Sequence, residues 1–248
     1  MSRKVDAAII GAGPGGGMAA CRLARTGLDV VILEKEKLPR HKACGGALPG
    51  NVGKAFGIDL SPIRENKVSQ SRYLFNYENA ILRRHVPFFL VDRSRLDAFL
   101  VKKAGASSEG NVELMEGFDL FAVREQSDGV TVQGKAGEIV QSKFLIAADG
   151  ALSKTARCLG LKSDFPAGIA IDAEVEVTDE VYESQKNTAT FNYFCLPGGY
   201  AWIFPKGQGR LSCGVGSWRR RKGLLAEMND FAAKSLPAES IRSLRLSA

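Results

Sequence analysis

The feature that most restricts this chain is a glycine-rich turn, Gly11-Ala12-Gly13-Pro14-Gly15-Gly16, set between an apolar run and a helix-favouring one. Residues 5–10 are apolar except for Asp6 and read as a buried parallel strand. Residues 18–25 carry Ala20, Leu23 and Ala24 at helical spacing, and Gly27 stands where a left-handed helix stop is wanted. Residues 29–33 supply a second strand. Strand, turn, helix and strand in that order predict a βαβ crossover at the start of a parallel sheet.

Each glycine has a steric reason in such a turn. Gly11 permits the tight bend, Gly13 leaves room for a diphosphate, and Gly16 lets helix and strand approach. Pro14 and Gly15 fall at the opening of the helix, whose backbone N–H groups and positive end attract an anion. Glu34 closes the second strand about twenty residues on, where a carboxylate accepts hydrogen bonds from adenosine ribose hydroxyls and disfavours a 2′-phosphate. A glycine string alone also fits a merely structural turn. The complete order favours a bound dinucleotide and leaves FAD and NAD open.

Composition narrows the rest. At 248 residues, with 45% hydrophobic and 25% charged side chains, the chain is expected to bury a substantial core. No apolar run approaches the roughly twenty residues that cross a bilayer, and the start lacks a leader pattern, so a cytoplasmic location is expected. The cysteines Cys21, Cys44, Cys158, Cys195 and Cys213 are scattered without metal-ligand spacing, so neither a zinc site nor a disulfide framework is expected. A formal charge of +7 suits a phosphate-bearing cofactor or an anionic membrane surface. Nucleic acid is not expected, because no motif for it accompanies the charge.

Further segments sharpen the reading. Residues 38–48 are basic, then glycine-rich, with Arg40, His41, Lys42, Cys44, Gly45 and Gly46, directly after Glu34 and Lys35. Residues 88–91 read as a strand, Asp92 as a cap before Arg93, and 96–101 as a helix, with Arg95 and Asp97 pairing locally. Two strands at 112–116 and 117–124 precede a hairpin with Asp128-Gly129 at its turn. A buried strand at 144–148 then ends in Asp149-Gly150, followed by Ser153 and Arg157. Ser153 lacks ordered His and acid partners, which argues against a hydrolytic nucleophile.

An acidic strand end followed by Lys-x-Cys-Gly-Gly resembles the FAD-dependent geranylgeranyl reductase family, among the glutathione-reductase-type, para-hydroxybenzoate-hydroxylase-like flavoproteins. The Ala-Asp-Gly-x-x-Ser-x-x-x-Arg string and Gly-Tyr-x-Trp-x-Phe-Pro-Lys at residues 199–206, with Gly214 and Gly216 beyond, carry the same resemblance. It implies FAD, with NAD(P)H or a reduced carrier as electron donor. It places Lys35, Arg40, Lys42, Gly45, Gly46, Arg93, Asp149 and Gly150 at the cofactor, and Cys44 beside its reacting face. It also gives an isoprenoid substrate walled by Tyr200, Trp202 and Phe204. Without that resemblance, ordinary sheet packing is the simpler account of the aromatic alternation.

The fold class that follows is α/β: a Rossmann-like FAD-binding domain with an inserted, partial antiparallel β-sheet substrate domain. Residues 1–70 and 85–165 are expected in the first and 71–84 and 166–248 in the second. The basic cluster 218–222 opens a helix at 223–234 and suits peripheral contact with anionic lipid. Beyond it the polar tail reads as helix-like, without the late Gly-Asp-Ala segment of the family, so a C-terminally incomplete member is expected. Two alternatives stay open: an FAD-dependent monooxygenase and a truncated, non-catalytic nucleotide-binding remnant.

Overall fold

The structure is a computed structural model that describes residues 2–161, 167–219 and 222–247. In chain order it opens with β1 (Ser2–Ile10), α1 (Pro14–Leu23), β2 (Asp29–Glu34), β3 (Ala47–Pro49) and α2 (Val52–Phe56). The middle holds β4 (Arg64–Phe75), β5 (Glu78–Val91), α3 (Arg93–Gly105), β6 (Asn111–Glu116), β7 (Leu120–Gln126) and β8 (Gly129–Gly134). Next come β9 (Ile139–Ala147), α4 (Lys154–Cys158), β10 (Ile169–Val177), α5 (Asp179–Gln185) and β11 (Thr188–Tyr193). The chain ends with β12 (Gly199–Gly207), β13 (Arg210–Ser217), α6 (Leu224–Ser235) and β14 (Ile241–Ser247).

Two compact units result. The first, residues 1–40 and 94–165, contains a six-stranded sheet in the order β6-β2-β1-β9-β8-β7. Its first four strands are parallel and the β7–β8 hairpin extends it antiparallel. Strand β2 is buried on both faces, with Val30, Val31 and Ile32 fully covered. Helices α1 and α3 pack so closely that a Cβ on Gly17 would stand 2.8 Å from Leu100 Cβ, and the Cys21 thiol donates to the Leu100 carbonyl at 3.3 Å. Gly129 adopts a φ of 153° at the expected hairpin turn.

The second unit, residues 41–93 and 166–248, holds an eight-stranded sheet in the order β14-β10-β13-β12-β11-β4-β5-β3. Every pairing is antiparallel except β4 with β11, which is parallel. Residues 41–70 and 85–93, expected with the cofactor domain, belong to this unit, because β4 and β5 form one long hairpin that also pairs β3. The expected boundary at 165 and 166 lies outside the described residues. The tail expected to be helix-like is the edge strand β14, whose backbone pairs with the otherwise open side of β10. Helix α6 seals one face of the sheet with Leu224, Met228 and Phe231 against Val175, Leu211 and Val215.

Phe231 is 1% exposed at the centre of that seal. Phe231→Ala is expected to lower unfolding free energy by about 3–5 kcal/mol, read from the urea midpoint.

Candidate functional site

In the first unit the turn after β1 is built by contact. A Cβ on Gly16 would overlap the Gly11 carbonyl oxygen, so only glycine lets α1 leave the strand here. Gly13 is different: a Cβ there meets nothing within 4 Å. It is the N-cap of α1 and supplies no side-chain cap, Pro14 follows, and no acid stands in the first turn. The amino end of the helix therefore presents uncapped N–H groups to open space, which fits a diphosphate.

Glu34 is 3% exposed and turned onto this feature. Its Oε2 accepts from the Ala12 amide at 2.7 Å and its Oε1 from the Glu36 amide at 3.1 Å. Burial alone would raise its pKa; the two amides and Arg40 outweigh that and hold it below the ordinary carboxylate value. Arg40, expected at the cofactor, is tied to Glu34 at 3.4 Å and to the fully buried Asp97 at 2.8 Å. Asp97 thus pairs with a residue 57 positions earlier, in addition to any neighbour on its own helix. Lys35 is 71% exposed and pairs with Glu36 at 3.5 Å.

Asp149 serves its own loop. Its carboxylate accepts from Ser153 Oγ at 2.6 Å, from the Lys154 and Thr155 amides at 2.7 and 2.9 Å, and from Thr155 Oγ1 at 3.0 Å. Burial opposes ionisation, yet these donors lower its pKa. What lies against the glycine turn is backbone: Asp149 Cα is 3.1 Å from where a Cβ on Gly11 would sit. Gly150 is exposed, with a φ of 87°.

In the second unit the Cys44-Gly45-Gly46 loop and the aromatic strand β12 come together. A Cβ on Gly45 would lie 2.8 Å from both Phe204 and the Trp202 indole nitrogen. Gly46 has a φ of 72°, and its carbonyl accepts from the Val91 amide at 3.0 Å. Lys206 fastens the same place: its buried Nζ donates to the Val91 carbonyl at 2.6 Å and stands 3.4 Å from Glu65. Cys44 is exposed, and its sulfur accepts from the Gly46 amide at 3.4 Å. Lys42 is exposed, and Arg93 is half-buried at the first residue of α3.

Tyr200, Trp202 and Phe204 form one row, with ring centroids 5.6 and 6.2 Å apart. Trp202 and Phe204 are 5% and 6% exposed. The Trp202 indole N–H donates to Ser212 Oγ at 3.0 Å, which donates to Asp172 at 2.6 Å. Burial pushes the Asp172 carboxyl above its ordinary pKa despite that bond. The open part of the row is a cavity of about 520 Å³ lined by Phe191, Tyr193, Phe194, Gly198, Tyr200 and Trp218. Phe194 holds a φ of 61° and is 75% exposed, a strained backbone presenting an apolar ring. The aromatic alternation at Phe191 and Tyr193 was visible in sequence; their registry opposite Trp202 and Tyr200 was not.

Comparison with known proteins decides the family. A description of the NAD(P)-binding Rossmann-like domain matches residues 9–74, and one of the FAD binding domain matches residues 59–222. The chain belongs to the FAD-binding domain family. Its cofactor is FAD, which the open turn at Gly13 fits. It is 29% identical over 243 residues to digeranylgeranylglycerophospholipid reductase 2 of Methanothermobacter thermautotrophicus, covering 92% of this chain and 62% of that protein. It is 31% identical over 224 residues to digeranylgeranylglycerophospholipid reductase 1 of Methanopyrus kandleri, covering 85% and 57%. The crystal structure of a geranylgeranyl bacteriochlorophyll reductase-like protein from Thermoplasma acidophilum superposes with a TM-score of 0.85 at 23% identity, over 99% of this chain and 66% of that one. The chain thus spans about three-fifths of the length of these two curated relatives.

Gly13 and Gly16 separate ligand space from packing. Gly13→Ala is expected to fold within about 0.5 kcal/mol of the parent and to bind FAD at least about tenfold more weakly, measured by flavin fluorescence titration. Gly16→Ala is expected to lose about 1–3 kcal/mol of stability in denaturant unfolding.

Proposed function

We propose that this chain is the cofactor-holding part of an FAD-dependent oxidoreductase that reduces carbon-carbon double bonds of a prenyl lipid. The observation that carries the reading is the seating of the Cys44-Gly45-Gly46 loop on the aromatic row that opens into the cavity at Tyr200 and Trp218. The names of the relatives, reductases of digeranylgeranylglycerophospholipid, support the same substrate class.

Residues 1–40 and 94–165 hold the nucleotide part of FAD: the helix end at Gly13, Pro14 and Gly15 receives the diphosphate and Glu34 the ribose. Lys42, Arg93, Gly45, Gly46 and the Asp149-Gly150 turn take the remaining cofactor-facing roles that the family pattern gives them. Held there in its reduced form, FAD would supply hydride to one alkene carbon, the other carbon taking up a proton and the flavin leaving oxidised. The cavity offers an isoprenoid chain an apolar wall at Phe191, Tyr193 and Tyr200, and Cys44 stands beside the reacting face. NAD(P)H or a reduced carrier is the source of electrons.

Among the described residues no helix is long and apolar enough to cross a membrane. Arg219 and Lys222, both exposed, suit peripheral contact with anionic lipid on the cytoplasmic side, each basic residue contributing about 1 kcal/mol there. Arg220 and Arg221 lie outside the described residues.

The chain has two tryptophans, Trp202 buried and Trp218 55% exposed, so fluorescence reads the cavity directly. Geranylgeranyl diphosphate is expected to change tryptophan emission saturably in the parent and to leave a W218F variant largely unresponsive. An equal response in W218F, or none in the parent, removes the lipid assignment. Failure to take up added FAD removes the flavin assignment separately.

A further inference from the structure

Arg40 sits in a basic segment beside the nucleotide turn, yet its guanidinium is turned into the protein. Its side chain is 15% exposed and shared between two carboxylates, Asp97 at 2.8 Å and Glu34 at 3.4 Å, themselves 0% and 4% exposed. Asp97 is fixed on α3 between the buried Leu96 and Leu100. Glu34 passes the connection on, because the oxygen that meets Arg40 also accepts from the Ala12 amide inside the glycine turn at 2.7 Å. A continuous polar chain therefore runs from α3 through Asp97, Arg40 and Glu34 to the backbone of the turn.

We propose that Arg40, anchored by Asp97, is a positioning residue of the nucleotide site: it fixes the Glu34 carboxylate against the glycine turn and is itself withheld from the ligand. The proposal rests on the reading that this turn holds an adenine dinucleotide. Two consequences follow from the geometry. A carboxylate offers about four lone-pair sites. Ala12, Glu36 and Arg40 occupy three of those on Glu34, and the one remaining on Oε1 is the place for a ribose hydroxyl. An arginine near the ribose ordinarily accommodates a 2′-phosphate. Arg40 is committed to two acids instead, so the site selects an unphosphorylated ribose. The depressed pKa of Glu34 agrees, since the carboxylate stays anionic through the neutral range and repels a phosphate placed on that sugar.

The test is calorimetric titration of the whole chain with ADP, 2′,5′-ADP and inorganic pyrophosphate. In the parent, ADP is expected to bind more tightly than 2′,5′-ADP. R40Q is expected to weaken ADP by about tenfold, the scale of one charge-assisted hydrogen bond, and to leave pyrophosphate nearly unchanged. R40K is expected to recover part of the loss, and R40Q to cause none when added to E34Q, because the residue acts through Glu34. D97N is expected to shift ADP in the same direction by a smaller factor, and it carries the test should R40Q not fold. Full ADP affinity in R40Q or D97N, equal losses for ADP and pyrophosphate, additive losses in the double variant, or preference for 2′,5′-ADP would overturn the proposal. A parent that ignores ADP overturns instead the dinucleotide reading beneath it.

Discussion

Everything in the first unit follows from how closely α1 leaves β1. The helix opens over the Gly11 carbonyl at a distance that admits no side chain on Gly16, and Gly11 itself lies against the backbone that ends β9. Two glycines are consumed by packing, so that Gly13 faces open space and a Cβ on Gly15 would meet only Ala148 Cβ, at 3.9 Å. The helix that results has neither a side-chain cap nor an acid in its first turn. Left without a ligand, those N–H groups would rely on water, and an anion satisfies them better. Glu34 completes the site from the neighbouring parallel strand, and the parallel register of β1 with β2 delivers it to the same end of the sheet.

In the second unit the balance is between an apolar surface and a buried lysine. The aromatic row continues through the stacked contacts of Tyr73, Phe191 and Tyr193 and ends on exposed rings at Phe75, Phe194 and Trp218. A contiguous exposed patch of that kind marks a place for an apolar partner. Beside it Lys206 is buried, and the cost of that charge is offset by the Val91 carbonyl, by Glu65 and by the Arg210–Glu174 pair that extends from Glu65. The energy so committed goes into holding the Gly46 backbone and the end of β5 in one arrangement. Neutralising Lys206 without replacing its hydrogen bond would therefore disturb the loop before it disturbed the sheet.

Local signals in the sequence were sufficient for the opening βαβ unit, the β7–β8 turn and helix α6, because glycine placement and apolar period are short-range. Signals that depend on distant registry were not visible. The parallel pairing of β4 with β11 joins residues more than a hundred positions apart, and without it the β4–β5 hairpin looks like two short runs. The tail became a strand through the free side of β10, which no local propensity announces. The resemblance places Arg40 at the cofactor, but the two carboxylates that orient its guanidinium, Asp97 on α3 and Glu34 at the end of β2, lie 57 and 6 positions away and no local signal pairs them with it. For Asp149 the resemblance implies a place at the cofactor, while its carboxylate is taken up by Ser153 and by the Lys154 and Thr155 amides of its own loop.

The account stands on the amino end of α1 as the place where the dinucleotide diphosphate lies. Amide chemical shifts of isotopically labelled protein during addition of FAD measure this directly. The account expects the largest changes at Gly13, Gly15, Gly16 and Gly17, with the Ala12 amide, held by Glu34, moving with them. Saturable binding that leaves these amides unmoved and perturbs residues elsewhere would contradict it.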